Sequence, residues 1–272
     1  MCKEDFNGKD GVRTSYFEGS KKISQTVEYK NGLRNGWLTE YYDNGSLMKK
    51  SWYLNDTLQD TTMYFYKNGT MSDLQLFKKG RKEGCWKRFN EEGHCYQEAN
   101  FKDNHKEGVQ LMFTYRSGRL LERSNFKDGW KDGKQEVFYN SGKKKSVCYF
   151  NTNRPCKGLE EWYESGKKVD NDFSISIKEK DRLMMESKIT YVISFEHPQA
   201  NDEVRDVLEG ESLECMFTGM TWHHTENHFE RDFYIYKGGF VMQKVTIAAF
   251  RKTYFGNTFI KTATFNVSAT HF

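Results

Sequence analysis

The sequence predicts an all-β protein: a tandem β-hairpin repeat array forming an elongated curved sheet, followed by a small β-sandwich-like domain. Three observations predict it. An aromatic residue returns every 24 or 25 positions, at Tyr29, Tyr53, Phe77, Phe101, Phe126 and Phe150, and a glycine trails each by 16 or 17 residues, at Gly45, Gly69, Gly93, Gly118, Gly142 and Gly166. A fixed period of this length marks small supersecondary units stacked in a row. The composition agrees: 22 glycines against 2 prolines, with 16% aromatic residues, suits short strands joined by tight turns. After Gly166 the period stops and irregular apolar runs replace it.

Residues 1–28 read as an N-terminal tail and a degenerate capping repeat, in which Phe6, Gly8, Gly11 and the pair Tyr16-Phe17 are a faded copy of the unit. Residues 29–169 are the repeats proper. In the first, Trp37 to Tyr42 and Ser46 to Tyr53 form two strands. Asn44-Gly45 between them is expected to be a two-residue turn, since both residues tolerate φ > 0. That register sets Asp43 opposite Ser46, Tyr41 opposite Met48 and, two repeats on, Cys85 opposite Asn100. Asn68-Gly69 repeats the signal, and Ser117-Gly118, Ser141-Gly142 and Ser165-Gly166 are weaker versions. A second turn separates successive hairpins. It carries Gly32 and Gly36, Gly80 and Gly84, Gly129 and Gly133, with Asp56, Asp60, Asn104 or Asn153 in the same role.

Strand alternation assigns faces. Tyr41, Phe65, Phe89, Phe113, Phe138 and Trp162 share one register and are expected to stack as a buried aromatic ladder. The residues that follow, Tyr42, Tyr66 and Tyr139, should face the opposite way. Exposed tyrosines make good recognition surface, so these three are the candidate partner contacts.

Residues 170–272 contain the apolar runs Phe173–Ile177, Ile189–Phe195, Leu213–Phe217, Phe229–Tyr236, Phe240–Phe250 and Phe259–Val267, with Gly238-Gly239 as a hairpin turn. Six or seven strands in about 100 residues suggest a small sandwich. Glu203 to Leu208 is open to a short helix instead. An array of hairpins leaves open sheet edges, and this domain is expected to cap one of them.

Charge and cysteines exclude several classes. Residues 1–170 hold 31 Lys/Arg against 24 Asp/Glu and residues 171–272 hold 11 against 14, so the excess is +7 on the repeats and −3 beyond them. The positive charge lies among acidic neighbours, and Lys143-Lys144-Lys145 is the one tight basic run, so no nucleic-acid partner is expected. No apolar stretch approaches the ~20 residues of a membrane span. None of Cys85, Cys95, Cys148, Cys156 and Cys215 forms a CxxC pair, which argues against structural zinc. All five are expected as thiols, with Cys148 and Cys156 close enough to meet. Cys2 directly follows Met1, as in a lipoprotein trimmed to its lipid-bearing cysteine. Cys2 is therefore a lipidation candidate, with a cell-envelope or cell-surface location; a native cytoplasmic start is the alternative.

One cluster suggests metal chemistry. His223, His224 and His228 gather in six residues, but the strand-like run after them places them in a loop, so they are weak candidates and no metal or other cofactor is expected. Phosphate-loop, nucleophile-elbow, zinc-protease and dinucleotide motifs are absent from the sequence. The chain reads as a non-enzyme.

The unit built from two spaced glycines, an aromatic pair, Asn-Gly and a second strand ending in an aromatic resembles the MORN repeat. It is similar above all to the bacterial variant of the YwqK-like, antitoxin-labelled proteins. The residues that carry the resemblance are Gly32, Gly36, Tyr41, Tyr42, Asn44 and Gly45, then Gly80, Gly84, Phe89 and Gly93, then Gly129, Gly133, Phe138, Tyr139 and Gly142. It covers about residues 6–169, and departs at Asp56 and Asp60 and again at Pro155. The resemblance implies rows of hairpins in one long curved sheet, and roles in protein assembly, membrane-proximal scaffolding and toxin neutralisation. The resulting expectation is a non-catalytic protein-binding scaffold, anchored as an envelope lipoprotein. The alternatives are an immunity or antitoxin-like protein that neutralises a specific toxin, and a metal-dependent enzyme at the histidine cluster.

Overall fold

The computed structural model describes residues 4–6, 9–208, 215, 221–225 and 228–272, with 4–6 and 223–225 described by backbone alone. Strands make up 65% of the chain and helix 2%. The chain divides into two compact units, residues 1–143 and 144–272. The period ends near Gly166, so the strands of the last repeat belong to the second unit.

The first unit is a single antiparallel sheet with its strands in sequence order. They are β1 (Glu4–Phe6), β2 (Gly11–Tyr16), β3 (Ile23–Lys30), β4 (Leu33–Tyr41), β5 (Leu47–Leu54), β6 (Thr57–Phe65) and β7 (Met71–Lys78). Then follow β8 (Arg81–Phe89), β9 (Cys95–Lys102), β10 (His105–Lys106), β11 (Gly108–Phe113), β12 (Leu120–Lys127) and β13 (Trp130–Phe138). The faded first copy is thus a further hairpin of the same sheet. The 24-residue period is the sum of its parts: β5 has 8 residues, the turn 55–56 has 2, β6 has 9 and the loop 66–70 has 5.

The two turn tiers are the reverse of the expectation. The two-residue turns are Asn31-Gly32, Asn55-Asp56, Lys79-Gly80, Asp103-Asn104 and Asp128-Gly129, each with positive φ at both residues. They close Lys30 onto Leu33, Leu54 onto Thr57 and Lys78 onto Arg81. This is the turn whose twist matches the strands. At Asn44-Gly45 only Gly45 has positive φ, +86°. There the Gly45 N–H donates to the Tyr42 carbonyl and the Tyr42 N–H to the Ser46 carbonyl. That geometry is a type I turn closed by a glycine bulge, and it sets Tyr41 opposite Leu47 rather than Met48. Asn-Gly suits both turns, because the bulged loop needs left-handed backbone only at the glycine. Cys85 does pair with Asn100.

Gly36 marks a bulge just beyond the turn. Its φ is +123°, and a Cβ there would collide with the Glu28 side chain, whose carboxylate accepts the Trp37 N–H at 3.0 Å.

No second layer covers this sheet within its unit, and that changes what is buried. Most of the deepest residues fall in one transverse row, Val27–Leu38–Ser51–Thr62, which runs on through Gln75–Trp86–Ala99, and, further along, Gln110–Ser124–Gln135, paired across successive strands; Asn90, also fully buried, lies outside it. Ser51, Thr62 and Ser124 are 0–1% exposed. The aromatic ladder of Tyr41, Phe65, Phe89, Phe113 and Phe138 is only half-buried, so it is not the core. With no facing layer, a small side chain is roofed by its long neighbours whereas a ring keeps one side in water. Thr62 Oγ1 donates to Ser51 Oγ at 3.2 Å, which satisfies the buried hydroxyl.

The second unit begins with β14 (Lys144–Asn151), β15 (Arg154–Pro155) and β16 (Glu160–Glu161). It continues with β17 (Ile175–Arg182), α1 (Leu183–Glu186), β18 (Lys188–Phe195), β19 (Glu203–Asp206), β20 (His223–Thr225), β21 (His228–Tyr234), β22 (Phe240–Lys252) and β23 (Thr258–Thr270). A four-stranded sheet, β17-β18-β21-β20, faces a three-stranded sheet, β19-β22-β23. Ile193 from one and Val204, Ile247 and Val267 from the other are fully buried in one shared core. This is the expected sandwich. The segment open to a short helix is strand β19. The run Leu213–Phe217 lies outside the described residues except Cys215.

Two polar features brace this unit. Arg251 forms a bidentate ion pair with Asp202, at 2.8 and 2.7 Å, with its guanidinium 4.6 Å from the Phe173 ring centre. The fully buried Glu161 carboxylate accepts from Asn171, Thr253 and Asn257, which ties β16 to the β22–β23 connection. The expectation of five thiols fails: Cys156 and Cys215 form a disulfide across 59 residues of sequence. Nothing local in the sequence announces a contact of that range; it exists because the chain after β15 and the segment carrying Cys215 pair as an isolated bridge.

Lys79 sits at φ +51°, where a lysine is strained and an asparagine is not. Its N–H bond to Gln59 Oε1 is made by the backbone and survives substitution. Lys79→Asn is expected to stabilise the repeat unit by about 0.5–1 kcal/mol, read as a raised urea midpoint. Removing the disulfide as Cys156→Ser with Cys215→Ser releases a loop worth about 4 kcal/mol of chain entropy. Calorimetry should show the melting of the second unit fall and that of the first stay; equal melting of both proteins would refute the assignment.

Candidate interaction surface

Residues two apart on a strand share a face, so Trp86 and Arg88 of β8 point the same way. Opposite Arg88 lie Asp73 of β7 and Gln97 of β9. Trp86 Nε1 donates to Asp73 Oδ1 at 3.1 Å, which fixes the indole. The Arg88 guanidinium lies 5.7 Å from the Trp86 ring centre and 5.4 Å from that of Tyr96. Tyr96 in turn packs on Tyr115 at 5.3 Å. These four residues, drawn from two strands and a loop, form one cluster in which Tyr115 is 51% exposed.

The cluster has one unsatisfied group. Arg88 Nε is buried and has no hydrogen-bond partner. Its nearest carboxylate oxygen, on Asp73, is 3.5 Å away, an ion-pair contact only. A buried donor left in this state costs about 1–3 kcal/mol and needs a physical explanation. Tryptophan, tyrosine and arginine are also the side chains that anchor protein interfaces.

The tyrosines expected to be exposed are not. Tyr42, Tyr66 and Tyr139 are half-buried. The Tyr42 hydroxyl donates to the Phe65 carbonyl and the Tyr66 hydroxyl to the Phe89 carbonyl, both at 2.8 Å. Repeats lie side by side at about two strand spacings, ~10 Å, which a tyrosine spans from one loop to the next strand end. At the same position of the third repeat Asn90 makes the equivalent bond, to the Tyr115 carbonyl. Tyr66 also lies beneath the cluster: burial, with Tyr115 and Tyr96 beside it, pushes its phenol up to about 12. Sequence reasoning missed Trp86, Arg88, Tyr96 and Tyr115; the two-residue step from Trp86 to Arg88 was the available signal.

A second row runs across the same unit. Arg34 lies 4.2 Å from the Tyr53 ring centre, Lys82 5.3 Å from that of Phe101 and Lys106 4.9 Å from that of Phe126. Each cation sits over the leading aromatic of the next repeat, an arrangement worth about 0.5–1 kcal/mol at exposed sites. Burial holds Lys106 below the usual lysine range.

The remaining candidates are structural or lie outside the described residues. Cys2 is among the latter. His223, His224 and Thr225 form β20, paired with β21, rather than a loop; the side chains of His223 and His224 are not described. His228 Nε2 lies 3.0 Å from Glu230, whose carboxyl Lys180 and His228 hold below the usual range against the effect of burial. Among the described residues no group of three or more His, Cys, Asp or Glu is placed to hold a metal ion. An open groove of about 320 Å³ in the second unit is lined by Arg154, Arg205, Arg251 and Lys252, but Arg251 is committed to Asp202 and Arg205 to Glu203.

Two segments of the chain, residues 82–103 and 131–152, match the MORN repeat variant family. Their starts are two periods apart, and the first contains Trp86, Arg88 and Tyr96. No curated protein matches the chain. Repeats of this family are generally protein- and membrane-interaction modules and generally non-enzymatic.

Tyr66→Phe tests the bonding of the expected contact residues. Loss of the bond to Phe89 is expected to cost about 1 kcal/mol at neutral pH. The raised phenol contributes stability that is full below its unfolded pKa of about 10 and is lost as pH rises through about 12. Urea titrations should therefore show a steep alkaline loss in the parent and a flatter one in Tyr66→Phe.

Proposed function

We propose that the protein is a non-catalytic scaffold that binds a protein partner on the repeat sheet, centred on Trp86, Arg88, Tyr96 and Tyr115. The observation that carries this reading is the Arg88 guanidinium, its side chain 42% exposed, lying against the Trp86 and Tyr96 rings with Tyr115 packed beside them. A partner carboxylate or carbonyl would pair with the exposed part of the guanidinium and cover the rings, while the buried Nε stays beside Asp73. The match to an interaction-repeat family supports the same reading. A specific toxin is one class of such partner. We further propose that Cys2, followed by the charged run Lys3-Glu4-Asp5, carries the lipid of an envelope lipoprotein.

Cross-linked capture from extract of the native host is the direct test. Substitution of Trp86, Arg88 or Tyr115 by Ala should each weaken the captured complex by about tenfold or more, as anchor truncation does. Arg116→Ala, outside the cluster, should leave it unchanged. Capture that is equally strong with all four variants would defeat the proposed site. Mass spectrometry of the host-made protein lacking a diacylglyceryl group on Cys2 would defeat the lipoprotein reading separately.

A further inference from the structure

One end of the C-terminal sandwich carries a ring of exposed apolar side chains that the repeat surface does not explain. The strand register defines this end. Arg182 pairs with Lys188 and Lys188 with Tyr234, so α1 and the chain after β21 leave the four-stranded sheet together. In the other sheet the start of β22, Phe240, pairs with the end of β23, Thr270. The connecting segments are bonded to one another: the Ile235 N–H donates to the Ser187 carbonyl and the Gly238 N–H to the His271 carbonyl.

Seven large apolar residues project here, among them Phe272, 92% exposed, which follows the His271 bonded to Gly238 and Gly239. Met184, Met185 and Tyr236, at the apex, are 84–90% exposed. Tyr234 lies on the outer face of one sheet, and Phe240 and Met242 on the outer face of the other, at 68–78%. Their alternation with Phe233 and Val245, which face the core, fixes that orientation. Exposed apolar groups gathered in this way mark a contact surface. Side chains so exposed stand out from a convex tip and line no groove.

The arrangement selects the partner. A protein partner or a second copy of the chain covers a surface from one side. These residues occupy the apex and both outer faces, which only a fluid surrounding medium contacts together. The apolar band is also shallow. From Phe240 to Met242 is about 7 Å, and the next outward residue on that face is the exposed Lys244. On the other face Tyr234 gives way to Asp232, held by Lys188 and Thr190. Elements that lie in a bilayer interface enter it by about 5–10 Å.

Charge points the same way. Of the acids at this end, Glu186 is bonded by Lys188 and Arg182, and the exposed Asp181 accepts the Leu183 N–H. Lys237 and Lys244 are exposed and have no acidic partner among the described residues. Arg182, Lys188, Lys237 and Lys244 thus stand against Asp181, Glu186 and Asp232, a small positive excess around apolar and amphipathic side chains, a combination suited to anionic headgroups and the acyl boundary.

We propose that this end of the C-terminal unit inserts into the interface of an anionic lipid membrane. The inference concerns the second unit alone and holds whether or not the repeat surface binds a protein or Cys2 is lipidated.

The test uses the full chain carrying Cys2→Ser, which excludes the lipid anchor. It is floated with phosphatidylcholine vesicles, with and without phosphatidylglycerol. The parent should float with the anionic vesicles and less with the neutral ones. Met184→Ser, Met185→Ser and Tyr236→Ser combined should reduce partitioning roughly tenfold or more. Thermal unfolding should not change, because these side chains are exposed. Lys237→Glu with Lys244→Glu should abolish the preference for anionic vesicles. Three results would each overturn the proposal: no flotation of the parent, equal flotation of the triple variant, or a parent dimer in sedimentation equilibrium that the triple variant breaks.

Discussion

Each two-residue turn of the repeat unit exposes peptide N–H groups that the hairpin itself cannot use, and the repeats are held in register by where those groups go. One donates to a backbone carbonyl of the preceding repeat: Asp56 to Arg34, Gly80 to Leu58, Asn104 to Lys82 and Gly129 to Lys106. The other finds a side chain one position further along: Lys79 to Gln59, Asp103 to Glu83 and Asp128 to Glu107. At the opposite edge of the sheet the bulged loops do the same with side-chain donors. Asn44 Nδ2 reaches the Lys67 carbonyl and Asn68 Nδ2 the Glu91 carbonyl. Both edges are thus laced from repeat to repeat. The lacing works only while the period stays near 24 residues, because a one-residue change in strand length moves every donor off its acceptor and turns the strand over.

This lacing matters because the unit has no second layer to bury its faces. The two units remove water in different ways. In the sandwich, two sheets close over Ile193, Val204, Ile247 and Val267, and the hydrophobic effect acts at full depth. In the repeat sheet the deepest row mixes Val27 and Leu38 with Ser51, Thr62 and Ser124, and long neighbours roof it. The cations that lie over Tyr53, Phe101 and Phe126 extend that cover with their apolar stems. Stability of this kind is distributed along the array, each repeat depending on its neighbours. Within its unit, no second layer covers either face of the sheet.

The two candidate surfaces follow from those two constructions. On the repeat sheet, local departures from the repeat pattern create the site: Trp86, Arg88 and Tyr96 converge where the preceding repeat places Thr62, Tyr64 and Ser72, and the resulting cluster buries a donor without an acceptor. At the end of the sandwich, core and surface alternate regularly along β21 and β22, yet the outward positions nearest the tip are apolar until Lys244 and Asp232 restore the usual polarity. Both features are exceptions to the rule that built the surrounding structure.

Much of the fold was legible in the amino-acid order, since backbone conformation and strand alternation are local. The glycine and Asn/Asp positions mark where left-handed backbone is needed, the aromatic beat sets the period, and the alternating runs after residue 170 give the strands of the sandwich. Local chemistry left other matters open. Asn31-Gly32 and Asn44-Gly45 are the same dipeptide in two different turns, and only the pairing of whole strands decides between them. Tyr42 and Tyr66 read as surface residues until the neighbouring repeat supplies a carbonyl for each hydroxyl. The Cys156–Cys215 bond, the Arg88 cluster and the apolar ring around Tyr236 each join residues distant in sequence. Sequence by itself determined the elements and their period; the tertiary structure decided which side chains those elements consume and which they leave exposed, because burial is a property of neighbours that the chain brings together only on folding.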